Sequence, residues 1–184
     1  LKVELDRFPG LEGLDLAKDV STTQTYKWDE TRWRLGEGYG RVENPDFHVV
    51  AIDYGAKRNI LRCIADQGAR VTVVPATATI EDIMAHNPDG IFLSNGPGDP
   101  SATGEYAVPT IKKIIESGKP VFGICLGHQL LGLALGGKTQ KMHQGHHGAN
   151  HPVKDLTTGK VEITSMNHGF AVDADSLPAG VTQT

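Results

Sequence analysis

The segment that decides the fold is VFGICLGHQLLG, residues 121–132. Its first residues form an apolar run typical of a buried strand, and an apolar helical pattern follows Cys125. Gly123 and Gly127 flank this cysteine in a G-x-C-x-G pattern. With serine in place of cysteine, this pattern forms the nucleophile elbow, a sharp strand-to-helix turn that exposes the reactive atom. The segment therefore predicts an elbow with Cys125 as the nucleophile.

Two physical arguments favour a reactive cysteine. The residues two before and two after the nucleophile crowd each other in such a turn, and glycine removes the Cβ atoms that would clash. A thiol at a helix N-terminus lies at the positive end of the helix dipole, which predicts a pKa below about 8.5. The alternative is a buried, inert cysteine, because cysteine is among the most buried residue types. Cys63 lies within a helical pattern without flanking glycines, and we interpret it as core packing.

Outward from this segment, strands and helices alternate over residues 47–137. Strands are predicted in FHVVAIDYG, ARVTVVPA, DGIFLSNGPGDP and KPVFGIC, and helices in AKRNILRCIADQG, TIEDIMAHNP, GEYAVPTIKKIIESG and LGHQLLGLALGG. This order predicts an α/β fold that is flavodoxin-like and doubly wound. Its sheet is mainly parallel, with flanking helices on both faces and a small β appendage.

Ligands of such sheets bind beyond the carboxyl ends of the strands. Here those ends carry DYG, SNGPG and Cys125, so three unusual stretches are expected at one edge. A tetrahedral oxyanion needs preorganised N–H donors, and the residue after the nucleophile, Leu126, supplies one. A second donor is expected from the glycine loop, SNGPGDP (94–100). Its prolines lack an N–H, which leaves chiefly Gly96 and Gly98 as donors. A plain turn is the alternative for this loop, and no G-K-[ST] follows that would make it a P-loop.

Composition narrows the class of protein. The chain has 184 residues, of which 18 are basic and 22 acidic, giving a net charge of −4. Without a basic run, neither nucleic acid nor a membrane surface is an expected partner. Two distant cysteines favour a reducing, cytoplasmic location over a disulfide framework. No apolar run has transmembrane length, and the first residue is not Met, which suggests part of a longer chain.

Several stretches together resemble a known family. SNGPGDP (94–100) and FGICLGHQ (122–129) are similar to the class I, triad-type glutamine amidotransferases. AIDYGAKRNILR (51–62), GHHGANHPV (145–153) and NHGFAVD (167–173) resemble the small-subunit branch of that family that serves carbamoyl-phosphate synthase. The resemblance extends over essentially the whole chain.

This resemblance implies a reaction. The cysteine would attack the side-chain amide of L-glutamine, giving a γ-glutamyl thioester and ammonia, and water would then release glutamate. The ammonia would pass to the carbamoyl-phosphate synthase large subunit, in a heterodimer that makes carbamoyl phosphate for pyrimidine and arginine synthesis. ATP and Mg are expected on that large subunit, and no cofactor or metal is expected in this chain.

The resemblance also implies site residues. Cys125 would be the nucleophile, and Gly96 and the Leu126 amide would form the oxyanion hole, with Gly98 in the same loop. The residues implied to hold glutamine are Gln129, Asn167, Gly169 and Phe170. Gln129 is four residues after the cysteine, on the same helical face. Without the resemblance, residues 167–169 would be read as a turn.

The family's general base and its carboxylate partner come from a Gly-His-Pro-Glu stretch that this sequence lacks. His151-Pro152 is followed by valine. We therefore expect residues 47–184 to form an amidotransferase domain incomplete at its C-terminus, and residues 1–46 to be a connector from a missing N-terminal domain. Little glutaminase activity is expected from this chain alone, and His128 and His168 are weak candidates for the base.

Histidines cluster at positions 143, 146, 147 and 151. Their spacing fits no standard zinc pattern, so we interpret them as structural loop histidines. Three alternatives to the function stay open. They are another class I amidotransferase, a cysteine hydrolase with a similar elbow, and a non-catalytic fragment that binds glutamine or a partner.

Overall fold

A computed structural model describes the backbone of residues 2–184 and, apart from positions 4–6, their side chains. Residue 1, where the predicted connector begins, lies outside the described residues. The helices are α1 (Lys2–Arg7), α2 (Ala17–Val20), α3 (Arg58–Ala65), α4 (Ile80–Met84), α5 (Pro100–Glu116) and α6 (Leu126–Ala134), with a 3₁₀ turn at Ala174–Ser176. The strands are β1 (Tyr26–Trp28), β2 (Glu30–Arg34), β3 (Gly38–Arg41), β4 (Phe47–Asp53), β5 (Ala69–Pro75), β6 (Gly90–Leu93), β7 (Val121–Gly123), β8 (Lys138–Lys154) and β9 (Val161–Asp173).

The main sheet has the strand order β1-β5-β4-β6-β7. Strands β5, β4, β6 and β7 are parallel, and β1 pairs antiparallel with β5 at one edge. The parallel strands read as apolar runs because both faces of the sheet are covered by helices. This arrangement confirms the predicted α/β class and its mainly parallel sheet.

Two apolar cores, one on each face of the sheet, hold the helices. On one face Val50, Ile52 and Leu93 pack with residues of α4, α5 and α6. On the other, Ala51 and Phe92 pack with Leu61 of α3. Successive residues of β4 thus enter opposite cores, as the twofold period of a strand requires. Helices on both faces make the fold doubly wound, and the shared direction of the parallel strands places their carboxyl ends at a common edge.

Residues 2–46, predicted as a connector, contain two short helices and three strands. Strands β2 and β3 pair antiparallel as a hairpin. Strand β1 joins the main sheet, with Lys27 paired with Thr72. Arg62 of α3 ties the hairpin to the body, because its Nε donates to Glu30 at 2.6 Å and its guanidinium lies 4.2 Å from the Tyr39 ring centre. The domain boundary at residue 47 stays a prediction.

After residue 137 the chain forms the β appendage, but its detail differs from the prediction. Its clustered histidines were interpreted as loop residues, whereas they lie in β8, which is 17 residues long and pairs antiparallel with the 13-residue β9. Register shifts between Lys141/His146 and between Gly148/His151 absorb the Gly-, His- and Asn-rich residues within the strands. The interpretation of these residues as a loop was wrong, because β-bulges allow them to remain within the paired strands β8 and β9.

Among the described residues, no helix has both the length and the apolar character needed to cross a membrane.

Candidate active site

Cys125 occupies a strained turn between β7 and α6. Its φ is 53° and its ψ is −111°, a left-handed backbone conformation that is rare outside glycine. A Cβ on Gly123 would lie 2.6 Å from the Gly127 carbonyl carbon, and one on Gly127 would lie 2.2 Å from the Leu93 oxygen. The predicted crowding around the cysteine is therefore present, and only glycine fits at the two positions.

The glycine loop that follows β6 is fixed against the loop that follows β4. The Asn95 side chain donates to the Gly55 carbonyl at 3.0 Å and accepts from the Lys57 N–H at 3.1 Å. On the outer side, the Asp99 carboxylate accepts from the Gly13 N–H at 2.8 Å. The loop is thus held rigidly from both sides, which suits a set of preorganised donors.

Two backbone N–H groups at this edge have no protein oxygen as acceptor within the described residues. The Gly96 N–H has no acceptor among residues 2–184. The Leu126 N–H points toward the Cys125 sulfur and has no other acceptor there. A Cβ on Gly96 would lie 2.1 Å from the Tyr54 oxygen and 2.8 Å from Leu126 Cδ2. The loop backbone therefore packs directly against the residue that follows the cysteine.

A cleft of about 780 Å³ opens above the cysteine. Seven of the eight predicted site residues line it: Gly96, Gly98, Cys125, Gln129, Asn167, Gly169 and Phe170. The eighth, Leu126, has a buried side chain. The volume suits a small molecule such as an amino acid.

Strand β9 forms the far wall of the cleft. The Asn167 carbonyl oxygen lies 3.6 Å from Cys125 Sγ. Gln129 is 7% exposed, and its Nε2 donates to the Phe170 carbonyl at 2.7 Å. This amide therefore anchors β9 to α6, a contact that the helical spacing alone did not predict. Residues 167–169 belong to β9, so the turn interpretation was wrong.

The pKa of the Cys125 thiol is raised above its ordinary value. Burial raises it most, while the Leu126 N–H and the positive charge of Lys57 lower it. The predicted lowering of this pKa was wrong, because loss of hydration of the thiolate outweighs the favourable backbone at the helix start. Cys63 was also misread, since it is exposed on α3.

This raised pKa predicts a slow thiol. In a Cys63→Ser background, alkylation of Cys125 by iodoacetamide should be slow at neutral pH and still increasing above pH 9, because only the thiolate reacts. Lys57→Met should raise the thiol pKa further by removing a positive charge and slow alkylation at any given pH. Mass spectrometry of timed samples measures both rates.

Arg58→Met is the matched control for this measurement, because it removes a neighbouring charge that does not act on the thiol. A rate that reaches its plateau below pH 8 would contradict the raised pKa.

No histidine within residues 2–184 is hydrogen-bonded to the Cys125 sulfur. His128 lines the cleft without such a bond. The ring of His168 is engaged elsewhere, by the Phe170 carbonyl at 2.8 Å and by His146 at 3.2 Å. Neither residue is arranged as the base of the thiol.

The clustered histidines lie in paired strands, which corrects their interpretation as loop residues. No group of three or more His, Cys, Asp or Glu side chains in the described part of the chain is arranged to hold a metal ion. The polar residues that line the cleft without having been predicted include Lys57 and His147. Lys57 follows the DYG stretch at a strand end, a signal that could have indicated it, whereas nothing local distinguishes His147 from its neighbours.

Residues 50–184 match the family described as "Glutamine amidotransferase class-I". The chain therefore belongs to the class I glutamine amidotransferases.

Similar proteins within that family include small chains of carbamoyl phosphate synthase. The carbamoyl phosphate synthase small chain of Brucella anthropi is 69% identical over all 184 residues, and that of Brucella ovis is 68% identical. The chain spans 45% of the length of each of these relatives. In fold it is similar to a glutamine amidotransferase from Thermotoga maritima, with a TM-score of 0.54 at 20% identity over 74% of this chain and 65% of that one. A second amidotransferase structure, from Methylobacillus flagellatus, gives 0.54 at 18% identity over 74% and 59%.

Proposed function

We propose that this chain is the amidotransferase part of a carbamoyl-phosphate synthase small subunit. In this proposal Cys125 attacks the side-chain amide of glutamine, and a γ-glutamyl thioester forms as ammonia leaves. Water then cleaves the thioester to glutamate. The observation that carries the proposal is that one cleft contains the elbow cysteine and the free N–H of Gly96, beside the Leu126 N–H.

The proposed roles are assigned from the positions of these residues in the cleft. The Gly96 and Leu126 N–H groups stabilise the oxyanion, since they are fixed before the charge develops. Glutamine lies between the loop and β9, against Gln129, Asn167, Gly169 and Phe170, and Gly98 completes the loop wall. Ammonia passes to a large subunit that uses ATP, with the two subunits forming a heterodimer. Two free cysteines support a reducing, cytoplasmic setting.

Two observations favour a second function for this chain by itself, the binding of glutamine without its hydrolysis. The thiol pKa is raised and no described histidine bonds the sulfur, so this polypeptide alone suits binding of glutamine better than its turnover. A base positioned against the sulfur contributes about 10²–10⁴-fold in rate. Turnover therefore needs a proton acceptor from outside the described residues.

The test uses a chimera in which this chain replaces the matching segment of the Brucella anthropi small chain. With the large chain present, the chimera should release glutamate from glutamine, whereas the 184-residue chain should be slower by at least about 100-fold. A coupled glutamate assay measures both, with the unaltered Brucella protein as the reference. A folded chimera without glutaminase activity would refute the proposal.

A further inference from the structure

Two adjacent histidines of β8 each contact one of two adjacent residues of β9. His146 is paired in register with His168, and His147 with Asn167. His146 Nδ1 lies 3.2 Å from His168 Nε2, and His147 Nδ1 lies 2.7 Å from Asn167 Oδ1. Successive side chains of a strand point to opposite faces, so the histidine pair holds the Asn-His dipeptide from both faces of the hairpin.

The protons of this arrangement can be assigned. His168 Nδ1 lies 2.8 Å from the Phe170 carbonyl, which only accepts, so Nδ1 carries the hydrogen. In a neutral ring His168 Nε2 is then the acceptor, and His146 Nδ1 donates to it. The same Phe170 carbonyl accepts from Gln129 Nε2. A chain of donors thus runs from His146 to the backbone of the cleft wall.

The contacts lie where the backbone ladder is weakest. Pairing shifts on both sides of residues 146–148, which leaves a short regular stretch between two irregularities. Bulges disrupt the ladder locally, so the backbone fixes register poorly there. The strands are also in close contact, because a Cβ on Gly145 would lie 2.5 Å from His147 Nε2 and 2.6 Å from the His168 oxygen. Side-chain pairs are therefore the available means of fixing the register.

We propose that His146 and His147 are positioning residues that fix the register of residues 166–170 of β9 in the cleft. Their contacts hold the Asn167 carbonyl near the Cys125 sulfur, at 3.6 Å. His147 also occupies Asn167 Oδ1, which leaves the amide Nδ2 without an acceptor within the described residues and free to donate to a bound carboxylate or carbonyl. The binding part of this inference rests on the proposed glutamine site.

Amide hydrogen exchange tests the register directly. His147→Ala should speed exchange of the amides of residues 166–170 about tenfold, because loss of one hydrogen bond corresponds to roughly that factor. His143→Ala is the matched control, since His143 is an exposed histidine of the same strand for which the structure gives no side-chain hydrogen bond. Equal exchange in the two variants would overturn the proposal, whether or not glutamine binds.

Labelling with a chloromethyl ketone analogue of glutamine tests the site. The Cys125 sulfur bonds to the ketone's methylene carbon and chloride leaves, so the rate saturates at a concentration KI that reports binding. His147→Ala should raise KI about tenfold with an unchanged maximal rate. His147→Asn, which keeps a donor at the position of Nδ1, should restore KI, whereas His147→Gln, with its donor at the position of Nε2, should not.

Failure of the proposed glutamine site and failure of the proposed positioning role give different results. Unsaturable labelling of the unaltered chain would refute the glutamine site, while exchange at residues 166–170 still decides the register. Saturable labelling with the same KI in His147→Ala and His143→Ala would refute the positioning role alone. Where His147→Ala loosens the whole chain, the contrast between the Asn and Gln variants decides, because both carry the same amide donor and place it at different positions.

Discussion

Cys125→Ser is expected to reduce labelling by the chloromethyl ketone analogue of glutamine by at least about 1,000-fold, because an alcohol without a positioned base is a far weaker nucleophile than a thiolate. The substitution keeps the size of the side chain and leaves the turn glycines in place. The loss would therefore report the chemistry of the sulfur rather than the shape of the cleft. Intact-mass measurement over time gives the rate for each variant.

Cys63→Ser is the control, because Cys63 is the other cysteine of the chain and is exposed on α3. It should leave saturable labelling unchanged. Glutamine added in excess should protect Cys125 and leave Cys63 reactive. Equal labelling of the unaltered chain and Cys125→Ser would contradict the nucleophile assignment. Protection of Cys63 by glutamine would contradict the location of the site.

The elbow could be predicted because its causes are local. Glycine two positions before and two positions after Cys125 is visible in the sequence, and the structure shows the clash that either Cβ would cause. The parallel sheet was equally predictable, since its strands are apolar runs buried on both faces. The convergence of the glycine loop and the cysteine then followed from strand direction.

The direction of the thiol pKa could not be predicted in the same way. The helix N-terminus lowers the pKa of Cys125 and burial raises it, and only the folded structure shows that burial dominates. The contacts that hold the cleft wall in place were not predicted, for a related reason. His147 contacts Asn167 across 20 residues and Cys125 contacts Asn167 across 42, and no local pattern reports such pairs. Bulges also hid the length of β8 and β9.

Gly127→Ala is expected to destabilise the fold by about 3 kcal/mol or more and to abolish labelling of Cys125. In a freely exposed helix the same change would stabilise by about 1 kcal/mol. Here the added Cβ would lie 2.2 Å from the Leu93 oxygen and 2.6 Å from the Leu93 carbonyl carbon, both backbone atoms of β6. Neither can rotate away, so α6 has to move off the sheet. Urea unfolding followed by circular dichroism measures the free energy.

Gly104→Ala is the matched control, because Gly104 is also a buried helical glycine, in α5. The nearest atoms to its added Cβ would all be side-chain ends, those of Leu133 and Val108 at 3.4 Å and that of Leu130 at 3.9 Å. We expect a change between zero and about 1 kcal/mol of stabilisation, since helix propensity then outweighs a contact that side chains can relax. Equal effects of the two substitutions would mean that the close approach of α6 to β6 does not hold the cysteine in its turn. A Gly127→Ala variant of normal stability that lost only labelling would show that the elbow positions the cysteine more than it stabilises the fold.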